Sequence, residues 1–119
     1  MRDFRNLNIW KKGFQIAING FKITKTFPPQ EKFGLTIQIT KAGVSIPSNI
    51  AEGCGRSSDK GFKRFLDHAL GSAFEMETQL LISKTLAYGD LALTTITLGL
   101  LSEEERMINS FMSTLKISE

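Results

Sequence analysis

The sequence predicts an all-α protein, an antiparallel up-down-up-down four-helix bundle with a proline-kinked second helix. Apolar residues recur at spacings of three and four in four successive segments, which is the period of an amphipathic helix. Alternation of period two is nowhere sustained, so no sheet is predicted. A chain of 119 residues suits one domain, 1–119, and four helices of about 25 residues account for nearly all of it.

The first predicted helix begins near Leu7. Its apolar positions step by three or four residues and form one stripe: Leu7, Trp10, Phe14, Ala17 and Phe21. The run Phe-Pro-Pro at 27–29 ends the helix, because a residue that precedes proline is disfavoured in the α region. Trp10 is interpreted as a core residue or as an anchor in a subunit interface.

The second predicted helix contains a proline. Its apolar stripe has the same spacing: Leu35, Ile39, Ala42, Ile46 and Ile50. Pro47 removes the backbone hydrogen bond to the Gly43 carbonyl, and we expect it to kink or interrupt the helix. The run Gly-Cys-Gly at 53–55 closes this segment.

The third predicted helix has the longest stripe. Ser57 or Ser58 offers an N-cap, and Asp59 is placed to favour a helix N-terminus. The stripe runs toward Tyr88 and stops at Gly89; its members are Phe62, Leu66, Ala69, Ala73, Met76 and Leu80.

The fourth predicted helix starts less sharply, because Thr94, Thr95 and Thr97 weaken its first turns. Its stripe is Leu98, Leu101, Ile108, Met112 and Leu115. The predicted connectors, 28–30, 55–57 and 89–91, are short, as antiparallel neighbouring helices require.

Composition excludes several classes of protein. No apolar run approaches the roughly 20 residues of a membrane-spanning helix, and residues 1–10 are charged, unlike a secretory signal. The single cysteine, Cys54, cannot form an internal disulfide or a cysteine-cluster zinc site. The single histidine, His68, excludes any site with two imidazoles. We therefore expect a cytoplasmic protein with no membrane association, no metal and no cofactor.

The charge is distributed unevenly along the chain. Residues 1–64 carry twelve Lys or Arg against four acids, a net charge of +8, whereas residues 65–119 carry three against eight, a net charge of −5. Such a division predicts either a basic face for an anionic partner or two surfaces that meet each other.

No catalytic pattern is found, and the sequence predicts a protein that is not an enzyme. A di-iron bundle needs Glu-x-x-His pairs, but Phe65 lies three residues before His68. Ser45 and Ser48 lie near Lys41 without the S-x-x-K spacing, and serines beside a proline more often cap or bond the local backbone.

The segment Gly-Cys-Gly-Arg-Ser-Ser at 53–58 is a candidate anion site. Backbone N–H groups at the following helix start could hold a phosphate, and Arg56, Lys60, Lys63 and Arg64 lie close by. The alternative is an ordinary helix–helix turn with a solvated basic rim. The pair Glu52 and Arg56 is interpreted either as a surface ion pair or as part of a buried polar network. Lys11 and Lys12 occupy the polar side of the first helix, as a solvated face or, in an oligomer, as part of a positive ring.

Several sequence strings carry a family resemblance. The most specific is Val-Ser-Ile-Pro-Ser-Asn-Ile-Ala-Glu-Gly at 44–53, and its polar and turn-forming members are Ser45, Pro47, Ser48, Asn49, Glu52 and Gly53. Further strings are Phe-Gly-Leu at 33–35, Gln-Ile at 38–39, Arg-Phe-Leu at 64–66, Ala-Leu-Gly-Ser at 69–72, Glu75, Glu-Thr-Gln-Leu at 77–80 and Tyr-Gly at 88–89. Together these strings resemble the four-helix-bundle proteins encoded in intervening sequences of bacterial 23S ribosomal RNA genes.

The resemblance implies a fold and an assembly rather than a reaction. It implies that Pro47 lies in a kinked but continuous helix, and that the chain forms a homopentamer with a central channel. A related group, the accessory variability proteins of diversity-generating retroelements, binds nucleic acid and partners a reverse transcriptase.

We therefore hypothesise a non-enzymatic oligomer that binds RNA or DNA through a basic face. The predicted phosphate contacts are Lys11, Lys12, Lys41, Arg56, Lys60, Lys63 and Arg64. The alternative is a protein-interaction or structural oligomer with no nucleic-acid role, in which the basic half of one subunit meets the acidic half of another.

Overall fold

The computed structural model describes residues 2–117, and these residues form four packed α-helices. The helices are α1 (Asn8–Thr24), α2 (Leu35–Cys54), α3 (Asp59–Thr85) and α4 (Leu91–Met112). Short 3-10 turns at Phe4–Asn6 and Pro29–Glu31 precede α1 and α2. No strand occurs within 2–117, and none of the helices there is long and apolar enough to cross a membrane. The predicted all-α class is confirmed.

Each helix packs on its neighbours in sequence, and α1 also packs on α4. Contacts between neighbours run in opposite order, as expected for antiparallel helices. Toward the start of α1, Lys12 contacts Glu103 of α4, whereas further along α1 Asn19 contacts Thr97. One end of the bundle therefore holds the start of α1, the α2–α3 connection and the end of α4.

The core is built from the stripes predicted for α2 and α3. In α2, Ile39, Ala42, Ile46 and Ile50 are fully or almost fully buried. All six stripe residues of α3, from Phe62 to Leu80, are buried as well. Cys54 is also buried, close to the α2–α3 connection, which agrees with a packing role.

The stripe predicted for α1 is wrong at Phe14 and Phe21, although Ala17 is buried as predicted. Phe14 and Phe21 are 49% and 54% exposed, and Trp10 is only half-buried. The core face of α1 instead carries Ile9, Ile16 and Ile23, each at most 3% exposed. The glycines of α1 lie on this face too: a Cβ at Gly13 would stand 3.1 Å from Ile46 Cγ2, and one at Gly20 would stand 3.0 Å from Met76 Cε. Because these two glycines have no side chain, α2 and α3 can pack closely against α1.

Helix α2 runs unbroken from Leu35 to Cys54 with Pro47 inside it. The proline ring is buried against α1, where its backbone nitrogen would lie 3.5 Å from a Cβ at Gly13. The prediction that Pro47 lies in a continuous helix is therefore confirmed, and Pro47 does not interrupt α2.

Helix α3 begins where it was predicted. The Ser58 hydroxyl accepts a hydrogen bond from the Gly61 backbone N–H at 3.1 Å, so Ser58 is the N-cap. The helix ends at Thr85, before the predicted limit at Tyr88, and Gly89 turns the chain with φ +75°. A Cβ at Gly89 would stand 2.6 Å from the Ile23 carbonyl oxygen, so this turn requires glycine.

Helix α4 begins at Leu91, and its N-cap is Asp90, whose carboxylate accepts from the Leu93 N–H at 3.0 Å. Leu101 and Ile108 are buried as predicted. Three polar side chains, Thr94, Thr97 and Glu104, are buried beside them, which the stripe did not predict.

Candidate nucleic-acid interface

Four of the seven predicted phosphate contacts meet at one end of the bundle. Arg56 lies in the α2–α3 connection, and Lys60, Lys63 and Arg64 occupy the first two turns of α3. The Ser58 cap fixes the direction in which this helix leaves the connection. Because residues four apart share a helix face, Lys60 and Arg64 lie on one side of α3.

The four cations differ in how far they are neutralised. Lys63 Nζ is 2.9 Å from Asp67 Oδ2, and Arg56 is 3.7 Å from Glu52 Oε1 while its guanidinium lies 4.4 Å above the Phe65 ring. Within residues 2–117, Lys60 and Arg64 take part in no ion pair. The interpretation of Glu52 and Arg56 as an exposed surface pair is confirmed.

Two arginines that the sequence analysis did not select join this end. The Arg2 backbone N–H donates to the Cys54 carbonyl at 3.4 Å, and its guanidinium is 3.9 Å from Asp59 and 5.0 Å from the Phe62 ring centroid. Arg5 is exposed, 3.6 Å from Asp3. We call Arg2, Arg5, Arg56, Lys60 and Arg64 the basic end. Only the fold brings the first two beside the others, since about fifty residues separate them in sequence.

The remaining predicted contacts lie apart from the basic end. Lys12 Nζ is 2.9 Å from Glu103 Oε2 and is half-buried against α4, whereas Lys11 is exposed on α1. Lys41 precedes Arg56 by fifteen residues, which corresponds to about 22 Å along a helix. The seven residues thus do not form one compact cluster, and their role in binding stays a prediction.

The polar members of the family string divide between the surface and the α2–α3 contact. Ser48 and Glu52 are exposed, whereas Ser45 and Asn49 face α3. The Asn49 amide donates to the Ser45 carbonyl at 2.8 Å and to its hydroxyl at 2.9 Å, and the Ser45 and Ser72 hydroxyls are hydrogen-bonded at 2.8 Å. The Ser45–Ser72 bond links α2 to α3, and the two bonds from Asn49 fix the Ser45 side chain within α2.

Gly53, the last residue of that string, lies at a close approach of α2 and α3. A Cβ at Gly53 would stand 2.8 Å from Phe62 Cδ1 and 3.0 Å from Phe65 Cβ. The position therefore brings the two helices together just before the basic end.

Two carboxyl groups of α4 have strongly raised pKa values. Glu104 is fully buried with neither oxygen hydrogen-bonded, and burial raises its pKa to about 8 although the nearby Lys12 lowers it. Burial, followed by the adjacent Glu77 carboxyl, raises the pKa of Glu105 to about 8 as well. Exposed Glu103 behaves in the opposite way, because its hydrogen bond from Lys12 lowers its pKa. The run of three glutamates gave no sign that its middle member points inward.

The chemistry of the remaining reactive groups is modest. Burial raises the pKa of the Cys54 thiol, which disfavours the reactive thiolate. His68 is exposed with its ring 6.1 Å from that of Phe65. Within residues 2–117, no three His, Cys, Asp or Glu side chains are grouped as metal ligands. The basic end offers positive charge and hydrogen-bonding groups at a surface.

The fold and this surface define a small four-helix-bundle protein with a basic end. The family model described as 23S rRNA-intervening sequence protein matches residues 5–110. The chain belongs to this family.

A solved structure supports the fold. It is the 1.70 Å crystal structure of a protein of unknown function from the S23 ribosomal protein family of Bacteroides thetaiotaomicron, and it is similar to this chain with a TM-score of 0.81. The sequences are 24% identical over 89% of this chain and 99% of the other. No curated protein matches the chain.

Proposed function

We propose that this protein is a non-enzymatic oligomer that binds RNA or DNA through its basic end. The observation that carries the proposal is that five cationic residues meet at one end of the bundle: Arg2, Arg5, Arg56, Lys60 and Arg64. Within residues 2–117, Lys60 and Arg64 take part in no ion pair. Exposed cations at this density neutralise phosphates and give affinity without sequence choice.

The salt dependence of binding tests this proposal. We take Arg5, Arg56, Lys60 and Arg64 as four phosphate contacts for each subunit. Affinity for nucleic acid should then fall about 50-fold for a single strand, and about 150-fold for a duplex, between 50 and 200 mM salt. Fluorescence anisotropy with a single-stranded RNA, a structured RNA and a duplex DNA measures this fall. No binding at 50 mM salt would overturn the proposal.

A charge-reversal variant assigns the surface. Lys60→Glu should weaken binding and flatten its salt dependence. Lys84→Glu is the matched control, because Lys84 is an exposed lysine in the last turn of the same helix, at the other end of the bundle. Equal effects of the two variants would show that net charge, and not the basic end, determines affinity.

A second observation favours the oligomer itself. Helix α1 exposes Phe14, Ile18 and Phe21, and adjacent α2 exposes Val44. We call these four residues the α1/α2 apolar face. Monomeric proteins seldom expose several large apolar side chains side by side.

A different apolar surface lies on α3. Phe74, Leu81, Ile82 and Leu86 are each about half exposed. We call these four residues the α3 apolar face. Both faces expose large apolar side chains, so the α3 apolar face suits the α1/α2 apolar face of a second copy.

Two different faces that bind each other generate head-to-tail contacts, which close into a ring or continue as a filament. The pentamer implied by the family resemblance is one such ring, and the subunit number stays a prediction. So do the reverse-transcriptase partner and the cytoplasmic location.

Light scattering after size exclusion tests the assembly. The chain of 13.3 kDa should elute as a defined multiple of that mass, and Phe21→Ser or Leu81→Ser should each shift it toward the monomer. Ile96→Ser is the control, because Ile96 is 58% exposed on α4 and belongs to neither face. A wild-type monomer at about 100 µM, a concentration at which any contact worth more than about 5.5 kcal/mol would be largely formed, would overturn the oligomer.

A further inference from the structure

A polar groove lies between α2 and α3 and takes no part in the basic end. Its volume is about 370 Å³, within the range of small-ligand sites. Helix α2 contributes Gln38, Lys41 and Ser45, and α3 contributes Ser72, Glu75 and Gln79. The bonded hydroxyls of Ser45 and Ser72 close one end of the groove with fixed geometry.

The groove presents a cation and an anion that are not paired. Lys41 from α2 and Glu75 from α3 both line it, and within residues 2–117 neither takes part in an ion pair or a side-chain hydrogen bond. A ligand that binds both must therefore place a hydrogen-bond acceptor beside the ammonium and donors beside the carboxylate.

Gln79 adds an unsatisfied amide to the same wall. The residue is only 9% exposed, and its Oε1 is buried without a hydrogen-bond partner. Buried side-chain oxygens are normally hydrogen-bonded, and an unpaired one destabilises the folded state. A polar ligand in the groove would let this amide reorient and form the missing bond.

We propose that the α2/α3 groove binds the Watson–Crick edge of a guanine base. The adjacent N1–H and N2–H donors of guanine match the two oxygens of the Glu75 carboxylate, and O6 accepts from the Lys41 ammonium. Adenine would place its N1 acceptor against the carboxylate and its N6 donor against the ammonium. The groove therefore selects guanine over adenine.

The placement of the groove connects it with the basic end, and in this respect the inference rests on the proposed function. Lys60, Arg64, His68 and Ser72 follow one another at four-residue spacing, so they form one stripe of α3. This stripe leads from the basic end to the groove. A single strand whose phosphates lie along Lys60 and Arg64 can turn an unstacked base into the groove, which is the common way in which proteins read single-stranded RNA.

The test compares RNA nonamers that differ at one base. Wild-type protein is titrated at 50 mM salt with labelled strands of eight uridines around a central guanosine or a central adenosine. We expect the guanosine strand to bind about tenfold more tightly or better, the discrimination of a bidentate base contact. Glu75→Gln should reduce this preference below about twofold, because the amide offers only one acceptor to the two guanine donors. Glu52→Gln, an exposed glutamate near the basic end, is the control and should retain the preference.

The outcomes separate the groove from the basic end. If both strands bind equally well to wild type, the guanine inference is overturned while the proposed function stands. If neither strand binds, the anisotropy titration with structured RNA and duplex DNA decides on the proposed function. A titration of ¹⁵N-labelled protein with GMP and AMP then decides on the groove. Chemical-shift changes of the Ser72 backbone amide and the Gln79 side-chain amide with GMP, but not with AMP, would support guanine binding in the groove. No such changes with GMP would overturn the guanine inference.

Discussion

The buried carboxyl of Glu104 should make the stability of the bundle depend on pH. The unfolded chain releases this proton near pH 4.5, whereas the folded chain holds it until about pH 8. The folded state therefore binds more protons between these values, and the free energy of unfolding falls as the pH rises through them. Below pH 4.5 both states are protonated and this loss is absent.

The magnitude follows from the two pKa values. A rise from 4.5 to about 8 corresponds to about 5 kcal/mol over the whole titration, of which about 3.5 kcal/mol falls between pH 5 and pH 8. Glu104 is fully buried with Lys12 as its nearby cation, so solvent screens this effect little. A loss of this size is a large part of the stability of an ordinary domain.

Glu104→Gln removes the titration while nearly preserving the shape of the side chain. Urea unfolding followed by circular dichroism at pH 5, 6, 7 and 8, at one protein concentration, gives the free energy for each protein. The free energy of unfolding of the variant, minus that of wild type, should rise by about 3.5 kcal/mol from pH 5 to pH 8. This rise does not depend on the difference between the two proteins at pH 5. The exposed-site variant Glu52→Gln should follow wild type. Parallel pH curves for wild type and Glu104→Gln would refute the reasoning.

Further predictions concern packing and a buried hydrogen bond. Gly53→Ala should destabilise the bundle by about 1–3 kcal/mol, because its Cβ would stand 2.8 Å from the Phe62 ring. Gly71→Ala is the control: nothing lies within 4 Å of its Cβ, and we expect a gain of about 0.5–1 kcal/mol. Equal urea midpoints for these two would contradict the close approach. Asn19→Ala removes the 3.1 Å hydrogen bond from its amide to the Thr97 hydroxyl. It should lower the free energy of unfolding by about 1–3 kcal/mol in the same assay, and a loss below about 0.5 kcal/mol would contradict a stabilising role for this bond.

The sequence predicted the fold best where packing follows a long, regular stripe. In α3 the predicted stripe from Phe62 to Leu80 is the buried face, and Ser58 is the predicted cap. The prediction for α1 was wrong at Phe14 and Phe21 because that helix is apolar on two sides. The apolar periodicity favoured the side with the large aromatic rings. The bundle instead buries the side that carries Gly13 and Gly20, which have no side chain and therefore add nothing to an apolar pattern.

The candidate site was predicted in part for a related reason. Lys60 and Arg64 are close in sequence and stay close in the fold, so their charges could be grouped from the sequence. Arg2 reaches the same end only through its contacts with Cys54 and Asp59, which depend on the bundle being assembled. The unpartnered amide of Gln79 has no sequence signal either, since burial of a single polar side chain depends on how two helices pack.

The unequal connections of the bundle have a consequence for how the chain folds. Four residues join α2 to α3, whereas ten residues, 25–34, join α1 to α2. Closing a short loop costs less chain entropy, and contacts that are near in sequence form fastest. We therefore expect an α2–α3 hairpin, fastened by Ser45 and Ser72, to form before α1 docks. Pulsed hydrogen exchange during refolding should protect amides of α2 and α3 ahead of those of α1, and simultaneous protection of all three helices would argue against this order.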